Sequence, residues 1–268
     1  YKFSQWRYST LSSIPTQGNT VSSTWGTQGT SETQMPTQAV NIIVYFSIGD
    51  FEVNAYAYSN SASATGKYTN NAAGGTVKFG TTGAAGATAR TTAIYTANVT
   101  MVATVSTGYR FDGWFTDSAL TKSAGTTASL TAAVGDNVKD TSLNKYYAKF
   151  SILSYTAYGS ARYYRYGVDN ATGAGFIGTT GGTVKVSNNN STWVTAQESS
   201  KASVTAYYTA TVYYSATPET GYEFIGWYSG DDADIFTAAV LATTLNYSTT
   251  MPAGNIDIHA KFTPYNFT

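Results

Sequence analysis

Apolar and polar positions alternate along most of this chain, and no long segment carries a helical period. Val40, Ile42, Val44 and Phe46 share one side of a two-residue period. Ile256, Ile258, Ala260 and Phe262 do the same, with Asn255, Asp257, His259 and Lys261 opposite, the pattern of a half-buried strand. It predicts closing strands at both places and sets His259 on the outward face. Phe51, Val53, Ala55 and Ala57 alternate with Glu52, Asn54, Tyr56 and Tyr58 to predict an opening strand; Gly74 to Phe79 reads as a turn leading into a strand, and Val99 to Val105 as another. The same order returns as a Tyr-rich strand from Tyr155 to Tyr166, then Gly181 to Val186, then Val212 to Thr217. The one stretch with short helical potential is Phe236 to Thr244.

The alternation is organised by an internal repeat, which decides the architecture before any other feature. Gly221-Tyr222-Glu223-Phe224-Ile225-Gly226-Trp227 has an earlier copy in Gly108-Tyr109-Arg110-Phe111-Asp112-Gly113-Trp114, and a third, without the glycine, in Tyr1-Lys2-Phe3-Ser4-Gln5-Trp6. Trp6 and Trp114 are 108 residues apart, and Trp114 and Trp227 are 113 apart. That is the length of a small domain, not of a solenoid turn. Each kernel is followed by a closing strand ending in Phe46, Phe150 or Phe262. The expected division is therefore a partial repeat over 1–47, complete repeats over 48–151 and 152–263, and the start of a following strand over 264–268. Such a chain begins mid-repeat and ends as another begins, like a cut from a longer array or a subunit completed by its neighbours.

Composition narrows the function classes. Charged residues are 11% of the 268 residues and aromatics 15%, with 23 tyrosines and a net charge of zero, so hydroxyls and amides carry the solubility. Nucleic acid and anionic membranes call for a basic patch, and here fifteen basic residues are scattered among fifteen acidic ones. No apolar run approaches the roughly 20 residues of a membrane span. The absence of cysteine removes disulfides, thiolate metal sites and cysteine nucleophiles, and a single histidine, His259, leaves no His-cluster metal site. No cofactor is expected.

The order of motifs in these repeats resembles the internalin-type B-repeat and its divergent relatives in bacterial and archaeal surface proteins. The residues that carry the likeness are Gly181-Gly182-Thr183-Val184, then Thr217 to Tyr228 with the kernel, then Thr250-Met251-Pro252 and Ile258 to Phe262. The resemblance covers both complete repeats and the partial one. It implies a small β-rich module, β-grasp-like in the family, used in tandem as an extracellular stalk or adhesive segment, with no catalytic residues to carry over. These repeats are tens of residues longer than the usual family repeat, with insertions between the opening strand and the Gly-Gly pair and before Val99 and Val212.

Candidate chemistry is sparse. Asp231, Asp232 and Asp234 cluster as hard-cation ligands would, but the first complete repeat has only Asp117 nearby and the partial one has none, so a polar loop is the favoured reading and no metal site is expected. Tyr155, Tyr158, Tyr163, Tyr164 and Tyr166, interleaved with Arg162 and Arg165, form a candidate interface or sugar-stacking strand. Trp6, Trp114, Trp227, Phe46, Phe150 and Phe262 read as the structural core of the repeat. Six sequons, at Asn98, Asn170, Asn189, Asn190, Asn246 and Asn266, mark possible glycosylation sites. No Gly-x-Ser-x-Gly elbow appears, and Glu198, Glu219 and Glu223 occupy no arrangement that singles them out as a glycosidase pair.

The expected fold class is all-β: tandem small β-domains, β-grasp-like or Ig-like sandwiches, in an elongated array. The expected function is that of a non-enzymatic, extracellular, cell-surface structural protein, a stalk or a fibre subunit with an adhesive role. Its partners would be other copies of itself or adjacent repeats, and surface glycans or proteins. The alternative is a glycan- or ligand-binding module of a larger secreted protein. Thr- and Tyr-rich strands with little Lys or Pro on their edges favour assembly.

Overall fold

The computed structural model describes residues 2–9, 26–27, 41–135, 137, 140–163, 176–177, 181–197, 201–230 and 238–265, with side chains described at 48–135, 137, 140–162, 181–197, 201–230 and 238–265. Among these residues the protein is all-β and contains no helix. The stretch with helical potential runs from Ala238 to Thr244 without one, and its first two residues lie outside the described chain.

The N-terminal strands are β1 (Lys2–Ser9), β2 (Gly26–Thr27) and β3 (Asn41–Ser47), in the order β2-β1-β3. Nine strands follow: β4 (Asp50–Ser61), β5 (Ala64–Asn70), β6 (Gly75–Phe79), β7 (Thr88–Ile94), β8 (Asn98–Val105), β9 (Tyr109–Phe115), β10 (Ser123–Gly125), β11 (Ser129–Ala133) and β12 (Lys145–Ile152). They form one sheet in the order β10-β9-β12-β4-β5, with β7 also on β4, and a second in the order β11-β8-β6. The last nine are β13 (Ser154–Tyr163), β14 (Phe176–Ile177), β15 (Gly182–Ser187), β16 (Val194–Thr195), β17 (Ala202–Tyr207), β18 (Thr211–Pro218), β19 (Tyr222–Ser229), β20 (Asn246–Thr250) and β21 (Ile256–Pro264). They repeat the plan, with β14-β13-β21-β19 and β17 on β13 in one sheet, and β16-β15-β18-β20 in the other.

Each pair of sheets closes over its own core. Ala55, Ala57, Trp114, Ala148 and Phe150 meet Val77, Met101 and Ala103 from the facing sheet. In the second repeat Ala157, Trp227, Ala260 and Phe262 meet Val184, Val186, Val212 and Tyr214. Sheet-on-sheet packing thus supplies the hydrophobic interior.

The kernel owes its spacing to a bulge. Phe111 and Trp114 are three residues apart, so in a regular strand they would face opposite ways. The register slips at that point: Phe111 pairs with Phe150 and Gly113 with Lys149, leaving Asp112 as an extra residue. Phe224 and Gly226 pair with Phe262 and Lys261, leaving Ile225 extra; Phe3 and Gln5 pair with Phe46 and Tyr45, leaving Ser4 extra. The inserted residue returns the indole to the phenylalanine's side. Phe111 and Trp114 then meet edge to face at 6.1 Å, and Phe224 and Trp227 at 5.6 Å. Both indoles are fully buried, and each donates its N–H to a carbonyl, Trp114 to Ala128 and Trp227 to Thr244.

The Gly-Gly motif also has a packing cause. A Cβ on Gly75 would lie 2.5 Å from the Phe150 ring, and one on Gly182 would lie 2.5 Å from the Phe262 ring. The closing-strand phenylalanine rests directly on backbone there, which only glycine permits.

Among the described residues, three of the insertions supply strands. The segment before Gly74 supplies β5 on the free edge of β4, and the segments before Val99 and Val212 supply β7 and β17, which pair antiparallel with β4 and β13. In unfolding followed by urea titration and tryptophan fluorescence, Trp227→Ala should cost the second repeat about 3–5 kcal/mol. Deleting Ile225 alone should cost at least as much, because it turns an intact indole out of the core, while the first repeat's transition stays in place.

Candidate functional site

Three places carry chemistry that the core does not demand: the outer face of each main sheet, the joint between the complete repeats, and a groove on the second repeat. Comparing the repeats position by position separates architecture from decoration. In the first, β4 and β12 run parallel with Tyr56 beside Tyr147 and Tyr58 beside Lys149. In the second, β13 and β21 run parallel with Ser160 beside His259 and Arg162 beside Lys261.

On the first repeat this face is an aromatic patch. Tyr56 stacks on Tyr147 at 5.1 Å and Tyr58 meets Tyr147 edge-on at 5.3 Å. Lys149 sits 4.6 Å from the Tyr68 ring centroid and 3.9 Å from the Asp112 carboxylate. The Tyr68 and Ser151 hydroxyls are 2.7 Å apart, and Ser151 donates to Asp112. Burial, together with the neighbouring phenols, pushes the Tyr147 hydroxyl's pKa up.

On the second repeat the same face is a closed polar cluster. Ser160, Arg162 and His259 are fully buried. The outward placement expected for His259 is therefore corrected: it lies on the side away from the core but is covered, with both ring nitrogens engaged. Its Nε2 lies 2.8 Å from the Gly230 carbonyl, which can only accept, so Nε2 carries the proton. Nδ1 is then the acceptor for the Ser160 hydroxyl at 2.7 Å. Lys201 binds Asp257, whose other oxygen is 3.8 Å from Nε2. A serine beside a histidine has the composition of a nucleophile and its base, but here both side chains are sealed from solvent and the imidazole proton is committed to a carbonyl.

The joint rests on Gly108, in the left-handed conformation at φ 80°. Its carbonyl accepts from Leu153 N–H at 2.8 Å, and the Leu153 carbonyl accepts from Tyr208 N–H at 2.9 Å. The Tyr208 ring covers Gly108 so closely that a Cβ there would stand 2.2 Å from it, and it meets Tyr109 edge-on at 6.4 Å. At the corresponding place in the second repeat, Gly221 (φ 88°) accepts from Tyr265 N–H at the same 2.8 Å.

Trp114, Trp227, Phe150 and Phe262 are fully buried; Trp6 and Phe46 lie in β1 and β3, with side chains outside the described set. Tyr155 packs against the second core and Tyr158 is half-buried, while Tyr163 is described by its backbone alone. Tyr164, Tyr166, Asn170, Asn266 and the Asp231–Asp234 cluster lie outside the described residues. Asn98, Asn190 and Asn246 are exposed. Among the described residues no group of three His, Cys, Asp or Glu side chains is arranged to hold a metal ion. What sequence reasoning passed over is Trp193, which with Asn190 and Asn246 lines a groove of about 360 Å³; its lining comes from three separate segments, so no local signal joins them.

Residues 76–136 match the Listeria-Bacteroides repeat domain, and residues 176–266 match the Divergent InlB B-repeat domain. Both matches are to bacterial surface repeats, one in each half of the chain, and together they support a bacterial surface repeat family. No curated protein sequence matches the chain. Among solved structures it is similar to the Bacillus anthracis TIE protein, at 10% identity and a TM-score of 0.41, over 85% of this chain and 37% of that one. It is also similar to a C-terminal fragment of the pilus adhesin SpaC from Lactobacillus rhamnosus GG (13% identity, TM-score 0.33, 81% of this chain and 99% of that one). The major pilin of Streptococcus pyogenes gives 8% identity and a TM-score of 0.29, over 82% of this chain and 99% of that one.

Burial holds the pKa of His259 below its ordinary value, against the opposing pull of Asp257 and with Arg162 and Lys201 adding to the depression. A histidine that stays neutral when folded but takes up a proton when unfolded withdraws stability as pH falls below about 6.5. The second repeat's unfolding free energy should therefore fall between pH 7.5 and pH 5, by up to roughly 1.4 kcal/mol per pH unit within the window between the two pKa values, and its thermal midpoint should fall with it. Calorimetry of His259→Gln should show a flatter pH profile.

Proposed function

We propose that this chain is a non-enzymatic structural segment of the bacterial cell surface, a tandem-repeat stalk or fibre subunit that presents an adhesive face. The repeat units are 48–151 and 152–263, with 1–47 as the back half of a further unit and 264–268 leading into another strand. Its partners are adjacent repeats or other copies of itself. The matches to bacterial surface repeats support the location; no helix among the described residues is long and apolar enough to cross a membrane. The sealed Ser160–His259 pair supports a non-enzymatic role, since a substrate has no path to it.

The observation that carries the proposal is the strand order at the ends of each repeat. The first and last long strands, β4 with β12 and β13 with β21, are neighbours and parallel. Tension applied at the two ends of a repeat pulls such strands in opposite directions along their length. Their ladder of hydrogen bonds is then loaded together in shear, not opened one rung at a time. Only Leu153 separates β12 from β13, so load passes between repeats with little slack. A part that connects and bears tension calls for this arrangement.

Single-molecule stretching of the chain between terminal handles should give two high-force steps, each releasing the length of one repeat. Extension without resistance would overturn the proposal, as would a surface-labelling experiment on intact cells that finds the protein inside.

A further inference from the structure

The two complete repeats share one fold, so the first serves as an internal control for the second: a side chain that folding requires should have a counterpart. In the first repeat the connection after β6 is Gly80-Thr81-Thr82-Gly83-Ala84-Ala85; in the second, after β15, it is Asn188-Asn189-Asn190-Ser191-Thr192-Trp193. On the strands beneath, the first repeat pairs Thr100 with Thr131, their hydroxyls 2.8 Å apart, where the second pairs Tyr213 with Ser248. The fold is thus built once without these aromatics and amides, and their presence in the second repeat answers to something other than folding.

We propose that Asn190, Trp193, Tyr213, Asn246 and Ser248 form a binding site for a neutral carbohydrate. The groove they line measures about 360 Å³, the size of a small-ligand site. No charged side chain contributes to it among the described residues. Indole and phenol faces fit the C–H faces of a sugar ring, while carboxamides and hydroxyls both donate and accept toward its hydroxyl groups. An uncharged lining leaves an anionic or cationic ligand without compensation.

Two further features mark a prepared site. The loop is held in shape: the Asn189 carboxamide accepts from Ser191 N–H and Thr192 N–H at 2.9 and 2.8 Å, and Asn188 donates to the Thr205 carbonyl at 2.9 Å. Asn190 is thereby kept in the left-handed conformation at φ 58°, a strained state for a non-glycine residue. Tyr214, whose side chain belongs to the fully buried core, and Tyr247 also line the groove, so its base rests on the packed interior. The site deepens the surface reading by naming what the adhesive face takes.

Affinity electrophoresis of the unglycosylated chain through gels containing neutral polysaccharides (a mannan, a glucan, a galactan) and one acidic polysaccharide tests this. Retardation by at least one neutral polymer is expected, with the acidic polymer inert. Trp193→Ala and Asn190→Gly, the latter keeping the left-handed backbone, should weaken it at least about tenfold, the size expected for a lost stacking face or hydrogen bond. Tyr213→Thr, which installs the first repeat's residue, should do the same with an unchanged thermal midpoint. No retardation by any neutral polymer, full retention in these variants, or equal binding to the acidic polymer would overturn the proposal. So would a glycan found covalently attached at Asn190 or Asn246 in the native protein. The stalk assignment survives each of those results, since stretching and surface labelling test it separately.

Discussion

The structure depends on one extra residue in one strand. A strand can send a phenylalanine and a tryptophan three positions apart into the same core only if its ladder slips by one. All three copies of the kernel slip at the same step, between the phenylalanine and the glycine or glutamine that precedes tryptophan. With the indole turned inward, the facing sheet has a large flat surface to close on. The Gly-Gly turn can then admit the closing-strand phenylalanine against bare backbone. Remove the slip and the core loses its largest side chain without any change in composition.

Around that constant interior the outer surfaces have diverged. Where the first repeat shows stacked tyrosines and a lysine on aromatic rings, the second has a buried serine, arginine and histidine. Where the first has a glycine- and threonine-rich connection, the second has asparagines and a tryptophan. The fold tolerates both because the parallel pairing of opening and closing strands is made by backbone, leaving the outward side chains free to vary.

Much of this was legible in the chain itself. The spacing of Trp6, Trp114 and Trp227 and the alternation around Phe51, Val99 and Ile256 gave the β character and the major strands. The phenylalanine-to-tryptophan interval of three also contained the bulge, hidden because neighbouring aromatics at two-residue spacing looked regular. The strands β5, β7 and β17 escaped notice because residues such as Thr88, Thr91 and Ser203 alternate with small alanines and threonines, a weak signal for a strand held mainly by its ladder. His259 misled for a physical reason: alternation tells which side of a sheet a residue faces, not whether something lies over that side. Trp193 was silent because a groove made by Asn190, Tyr213 and Asn246 exists only after folding.

The glycine at the joint has one more consequence. Because Tyr208 is clamped against Gly108 and tied through Leu153, neither repeat can swivel about the linker without breaking two backbone hydrogen bonds. The azimuth of one repeat is therefore dictated by the last. Groups placed on equivalent loops of successive repeats emerge at a set pitch and angle, so the valency with which such a chain could engage a surface is written in its loops while its spacing is written in the joint.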